Sequence, residues 1–342
     1  MKIQTRAEVL ELLSLPDEEF HSAVTPEAKR THIEHGGAVT ASAMLGYSNI
    51  CKNQCLYCGM RAGNSALPRY RLDPQEVCSM MDTAREMGLS RLFLVSGEDP
   101  KYGFENILRL VEGAKERGFR VSLAVGELPD DHYRALRDAG ADEFVLKFEM
   151  SQREVFNRLN PSTDFDRRMA CIRAIQSSGM ALASGNIVGY PGQTLEMLAD
   201  DILLMRELGI SWAPIIPYMP AAGTPLAAEG GPGSIEWNLR EISLLRLMMP
   251  HIDITAQQPG ENRGEGLAGV SGNLAALEAG ANLLFVDLLP SALAKNFRVV
   301  DERMIKGLAH IRHVAQLAGL AFCVPGGSGR EEDRGNCNET KD

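Results

Sequence analysis

The chain has no apolar run near the roughly 18–20 residues of a membrane-spanning helix, so no transmembrane anchor is expected. The N-terminus, Met1 to Leu10, carries charges where a secretory signal would place an apolar stretch. Basic residues are the minority: 35 Lys and Arg against 45 Asp and Glu give a net charge of −10. That balance argues against a nucleic-acid partner, whose phosphates need a clustered basic surface. Cysteine is sparse and odd in number, at seven in 342 residues. A disulfide framework is not expected, and a reducing cytoplasmic location is. No P-loop is present, and no G-x-G-x-x-G directly joins a strand to a helix, so nicotinamide or nucleoside-triphosphate chemistry has no support.

What is present fits a sizeable core: 44% of residues are hydrophobic, which excludes general disorder. Short apolar runs alternate with amphipathic stretches. Candidate strands are Val39–Gly46, Arg91–Gly97, Arg120–Glu127, Asp142–Glu149, Met180–Gly189, Trp212–Pro220, Asp253–Gln258 and Leu283–Pro290. Helical patterns follow each in turn, from Asp73–Met87 to Leu267–Ala279 and Asp301–Ala318, and Gly often closes them. Eight such units predict an α/β fold, a closed (β/α)8 TIM-type barrel over residues 39–324, with a doubly wound open sheet as its rival. Residues 1–38 read as an N-terminal helical extension, and 325–342 as a disordered tail. Chemistry in such a barrel is expected at the C-terminal ends of the strands.

One segment stands at such an end: Cys51-Lys-Asn-Gln-Cys55-Leu-Tyr57-Cys58, spaced C-x3-C-x2-C. Three of the seven cysteines fall within eight residues. Thiolates on one loop select iron–sulfur clusters, zinc or copper(I). A closed zinc site needs a fourth Cys or His nearby, and the next cysteine, Cys78, lies in a helical pattern. Three ligands therefore point to a 4Fe-4S cluster with one iron left open. Cys78 and Cys171 read as small buried hydrophobes, and His32 and His35 as solvated on a charged helix.

This motif, with its aromatic Tyr57 before the last cysteine, resembles that of the radical S-adenosylmethionine (SAM) superfamily. Further segments, Arg69-Tyr-Arg71, Ser96-Gly-Glu-Asp-Pro100, Gly189-Tyr-Pro-Gly-Gln-Thr194 and Pro217-Tyr-Met-Pro220, are similar to the biotin-synthase-like branch. Within it they look most like the HydE family of FeFe-hydrogenase maturases and the PylB family of methylornithine synthases. The resemblance implies an enzyme in which SAM binds the open iron of a 4Fe-4S cluster held by Cys51, Cys55 and Cys58. A low-potential donor, flavodoxin or ferredoxin, would reduce it, and a 5′-deoxyadenosyl radical would act on a small-molecule or organometallic substrate.

The resemblance also implies roles for single residues. Tyr57, Ser96, Gly97 and Glu98 would line the SAM site, with Gly97 permitting close approach. Period-two alternation puts Lys147 and Glu149 on one face of strand four, where two charges are costly unless paired or used. Glu149 would hold SAM through its ribose, and Arg168, with Arg167 as competitor, would grip the SAM carboxylate. Ile187 and Val188 would be apolar walls for adenine. Lys147, Gln257, Gln258 and Asp287 are candidates for the substrate pocket. The uncharged Trp212–Pro217 favours a HydE-like pocket, while the polar Thr255–Gly264 departs from both relatives. The alternatives are a lysine mutase, a third small-molecule substrate, or a non-catalytic iron–sulfur electron carrier.

Overall fold

The computed structural model describes residues 2–324, apart from 261, 302, 304 and 305. The expected tail from 325 lies outside them. Two helices, Arg6–Leu13 and Asp17–Glu34, precede the first strand. Arg240 ties them to the barrel, donating to the carbonyls of Leu13 and Leu15 and to the Asp17 carboxylate.

The strands are β1 (Ala38–Ser48), β2 (Arg91–Ser96), β3 (Arg120–Ala124), β4 (Glu143–Val145), β5 (Ala181–Ala183), β6 (Ile187–Val188), β7 (Trp212–Ala213), β8 (Ile216–Pro217), β9 (Asp253–Ile254), β10 (Leu283–Asp287) and β11 (Ala321–Cys323). All named pairings are parallel, in the order β10-β1-β2-β3-β4-β5-β7-β9. A bridge between Thr255 and Leu283 joins the two ends, with Ala256 N donating to Leu283 O at 2.8 Å and Asn282 N to Ile254 O at 3.0 Å. Eight strands thus close into the barrel that the alternation predicts. The fifth and sixth strands break, and β6 and β8 continue them as a separate pair at the mouth. Pro214, which has no N–H to give, falls in the second break.

Helices form where amphipathic period and caps agree. Pro74–Glu86 starts at Asp73, whose side chain accepts from Gln75 N while Glu76 reaches back to Asp73 N. The last helix is the exception: Leu308–Leu317 begins seven residues after the expected Asp301. Arg303 is instead drawn to Asp287 at 2.6 Å, so the segment after β10 crosses the barrel mouth. A second unforeseen element is β11, which pairs with the start of β1.

The barrel interior is plugged by Met44, Phe93, Val145, Ala183, Trp212, Leu283 and Phe285. Phe93 meets Trp212 edge-on at 5.1 Å, and Trp212 donates to Thr255 Oγ1 at 2.9 Å. A larger core lies between strands and helices. His32 is not solvated as its charged helix implied: it is only 4% exposed, because that helix lays this face on the barrel. Among the described residues, no helix is long and apolar enough to cross a membrane.

Candidate active site

The cysteine loop leaves the C-terminal end of β1 and is held on three sides. Asn49 Nδ2 donates to the carbonyls of Pro68 (2.8 Å) and Asn296 (2.7 Å). Leu56 N bonds Leu159 O, and Gly59 N bonds Val299 O. A side chain at Gly59 would strike the Arg298 carbonyl oxygen at 2.4 Å. Arg69 donates to four carbonyls of the loop and its flanks. The geometry is therefore fixed by backbone contacts that no local pattern specifies.

Cys51, Cys55 and Cys58 are free and half-buried. Burial raises all three thiol pKa values, Cys58 to about 12, and neighbouring cysteines raise those of Cys55 and Cys58 further. Three thiolates gathered here would repel unless a positive centre joined them, which is the condition a soft metal cluster meets. No three His, Cys, Asp or Glu side chains close on a single metal ion among the described residues. The donor set fits an iron–sulfur cluster.

The turn after β2 packs directly on this loop. A methyl group at Gly97 would lie 2.3 Å from the Ile50 carbonyl oxygen and 2.8 Å from Cys51 Cβ. The close approach that Gly97 permits is therefore to the cysteine loop itself. Glu98 Oε2 lies 3.1 Å from Lys52 Nζ, and Glu98 Oε1 accepts from Glu127 N. Ser96 and Glu98 line one cavity with Lys52 and Glu127.

Beyond Val145 the fourth strand breaks, and the chain then touches the broken fifth strand at a bridge between Glu149 and Asn186, the residue before β6. Lys147 Nζ and Glu149 Oε2 lie 3.2 Å apart, although both lie past the end of β4 and do not share a strand face. They line a second cavity with Tyr57, Ile187, Ile216 and Tyr218. Tyr57 Oη donates to Asn160 Oδ1 at 2.6 Å.

Arg168 is buried against a half-buried partner that the sequence gave no role: Glu127, whose Oε1 accepts from Arg168 Nε at 2.8 Å. Arg168 Nη1 also donates to the Lys147 carbonyl, and its guanidinium covers the Phe156 ring at 5.1 Å. A carboxylate closing the third candidate strand was the available signal for Glu127. Arg167, the competitor, is nearly half exposed.

The remaining candidates scatter. Ile187 faces the second cavity, but Val188 points into the core behind the strands, as alternation requires. Gln257 donates to Phe285 O, and Gln258, 1% exposed, donates to the carbonyls of Ile215 and Thr255. Both amides tie strands together. Asp287 is bound to Arg303 and lines a third cavity with Arg298 and Lys295; this adjoins the second through Val300.

Residues 45–205 match the family model of the radical SAM superfamily. The chain is 33% identical to the [FeFe] hydrogenase maturase subunit HydE of Thermotoga maritima, over 94% of this chain and 92% of that protein. It is 27% identical to the 3-methylornithine synthase of Methanosarcina barkeri (85% and 83%) and 30% identical to the biotin synthase of Desulforudis audaxviator (80% and 85%). The crystal structure of methylornithine synthase, PylB, superposes with a TM-score of 0.79 at 26% identity, covering 92% of each chain. With its barrel, its cysteine loop and these relatives, the chain belongs to the radical SAM superfamily of enzymes, in the branch that holds HydE, methylornithine synthase and biotin synthase.

Proposed function

We propose that this enzyme is HydE-like, cleaving SAM reductively at a 4Fe-4S cluster and acting on a small, anionic, thiol-bound iron precursor of a hydrogenase cofactor. Cys51, Cys55 and Cys58 would hold the cluster, which when bound would supply one electron for the reductive cleavage of SAM into methionine and a 5′-deoxyadenosyl radical. The Ser96–Asp99 turn, Tyr57, Glu149 and Arg168 would orient SAM. Arg168 is suited to its carboxylate because Glu127 and the Lys147 carbonyl fix its plane, while Nη2 makes no hydrogen bond among the described residues. Ile187, Ile216 and Tyr218 keep the cavity wall apolar and limit water around a reactive centre.

The observation that carries the substrate reading is the pairing of Asp287 with Arg303 at 2.6 Å. It leaves no free carboxylate at the end of β10 to meet a substrate ammonium, while Lys147, once its partner Glu149 is engaged by SAM, would offer a cation inside the cavity. The 33% identity to HydE points the same way. A methylornithine-synthase-like reading keeps support from the barrel superposition. The test supplies each candidate to the reduced, reconstituted protein without oxygen and measures substrate-dependent 5′-deoxyadenosine. Conversion of lysine to a methylated ornithine would overturn the proposal. SAM cleavage unresponsive to either candidate would assign the site to a third substrate.

A further inference from the structure

Arg69 occupies an unusual electrostatic position. Its Nη1 donates to the carbonyls of Asn49 (2.7 Å) and Met60 (2.8 Å), and its Nη2 to those of Arg61 (2.6 Å) and Asn64 (3.2 Å). Asn49 precedes the three cysteines and the other carbonyls follow them, so one planar fork joins both ends of the loop. A half-buried guanidinium ordinarily faces a carboxylate, and Arg69 has none. No Asp or Glu occurs between Ser48 and Leu72. Burial opposes its charge, and the ionisable neighbours that would favour it are the thiols of Cys51 and Cys58 once they are ionised. Arg71, two residues on, is the contrast: its Nε and Nη2 each bond Asp99 at 2.6 Å, so its charge is cancelled on the spot.

We propose that Arg69 is a positioning residue that braces the cysteine loop and keeps one uncompensated positive charge beside the iron–sulfur cluster, favouring the cluster's reduced state. The second half rests on the cluster reading above. Reduction adds one negative charge, and a fixed cation in a poorly solvated setting stabilises the more negative state. Removing the charge makes reduction harder; replacing it with a point charge preserves the potential while loosening the loop.

The test compares Arg69→Gln, Arg69→Lys and Arg71→Gln with the parent chain. In metal-free protein, alkylation of the loop thiols by iodoacetamide, compared per thiolate because the Arg69 charge also lowers the Cys51 and Cys58 pKa values, should speed up by about tenfold in both Arg69 variants, the size of one lost charge-assisted hydrogen bond. In reconstituted protein, a potentiometric titration followed by electron paramagnetic resonance should show a more negative midpoint for Arg69→Gln. Arg69→Lys and Arg71→Gln should stay near the parent value. Parent-like thiol reactivity in Arg69→Gln overturns the brace, and a parent-like midpoint, or an equal shift in Arg71→Gln, overturns the charge. Loss of iron confined to the Arg69 variants, with fast alkylation, supports the brace. Should the parent chain itself bind no iron, the cluster reading fails, and the alkylation rates still decide the brace.

Discussion

Lys147 Nζ lies 3.2 Å from Glu149 Oε2, and Glu149 is the one described non-glycine residue whose backbone enters the left-handed region, at φ 62°. Such a conformation costs on the order of 1–3 kcal/mol and is kept where surrounding contacts demand it. Here Glu149 N donates to Gly185 O and Glu149 O accepts from Ile187 N, which pins the residue between two strand ends. Its Oε2 is buried without a hydrogen bond, because Lys147 is in ion-pair reach but not in bonding geometry. A strained, charged, incompletely satisfied side chain at a barrel mouth is poised for a ligand. Glu149→Gln should therefore weaken SAM binding by about 1.5–3 kcal/mol, the range for a lost charged hydrogen bond, with iron content unchanged. Equilibrium SAM titration checks this; parent-like affinity would make the residue structural.

Arg168→Ala should reduce SAM affinity and fold stability together. It strips a buried partner from Glu127 and empties the space over Phe156. Breaking a buried pair costs about 3–5 kcal/mol. Denaturant unfolding beside SAM titration separates the effects: an Arg168→Ala chain that unfolds like the parent would show that the pair with Glu127 contributes nothing.

Each of Cys51→Ala, Cys55→Ala and Cys58→Ala should abolish the iron–sulfur absorption and SAM cleavage. Cys78→Ala and Cys171→Ala should retain both, since Cys78 sits on one helix against Gly113 of the next and Cys171 is buried in another. Iron content per chain is the measurement, and a full complement of iron in Cys55→Ala would remove the cluster assignment.

Gly97→Ala should behave like a cysteine variant although it removes no ligand. The added methyl meets the Ile50 carbonyl and Cys51 Cβ, neither of which is a flexible side-chain end. The loop must shift, so iron content should fall sharply while far-UV circular dichroism stays that of the barrel. Parent-like iron in this variant would show that the loop tolerates displacement.

His32 predicts a pH effect on stability. Burial first, then the nearby Arg246, lowers its pKa to about 4 from an ordinary 6.5. Above pH 6.5 the imidazole is neutral in both folded and unfolded chains and adds no pH dependence. Below it the unfolded chain takes up a proton that the folded chain refuses, so stability falls until about pH 4, by about 3 kcal/mol in all. His32→Leu should flatten that part of the profile. Urea unfolding between pH 7 and pH 4 provides the comparison, and parallel profiles for the two chains would refute the assignment.

The sequence by itself determined the barrel and its cysteine loop, because both are written in short-range pattern. Apolar runs alternating with amphipathic helices state the βα period directly, and C-x3-C-x2-C places three soft ligands within eight residues. Alternation on one strand was the reason to expect Lys147 and Glu149 together, but β4 ends at Val145 and Glu149 is held at φ 62°, so the pair is made by the contacts that pin Glu149 rather than by the strand period. Only the tertiary structure decided which distant groups meet. Glu127 finds Arg168 across 41 residues, and Asp287 is paired with Arg303 because β10 is followed by a single helical turn, Ser291–Ala294, after which the chain returns to the mouth before the last helix starts at Leu308. His32 turns inward and Gln258 becomes a strand tie through the same kind of long-range packing. A side chain's charge and its local period are properties of sequence; its partner depends on which elements abut, and that is settled by closing the barrel.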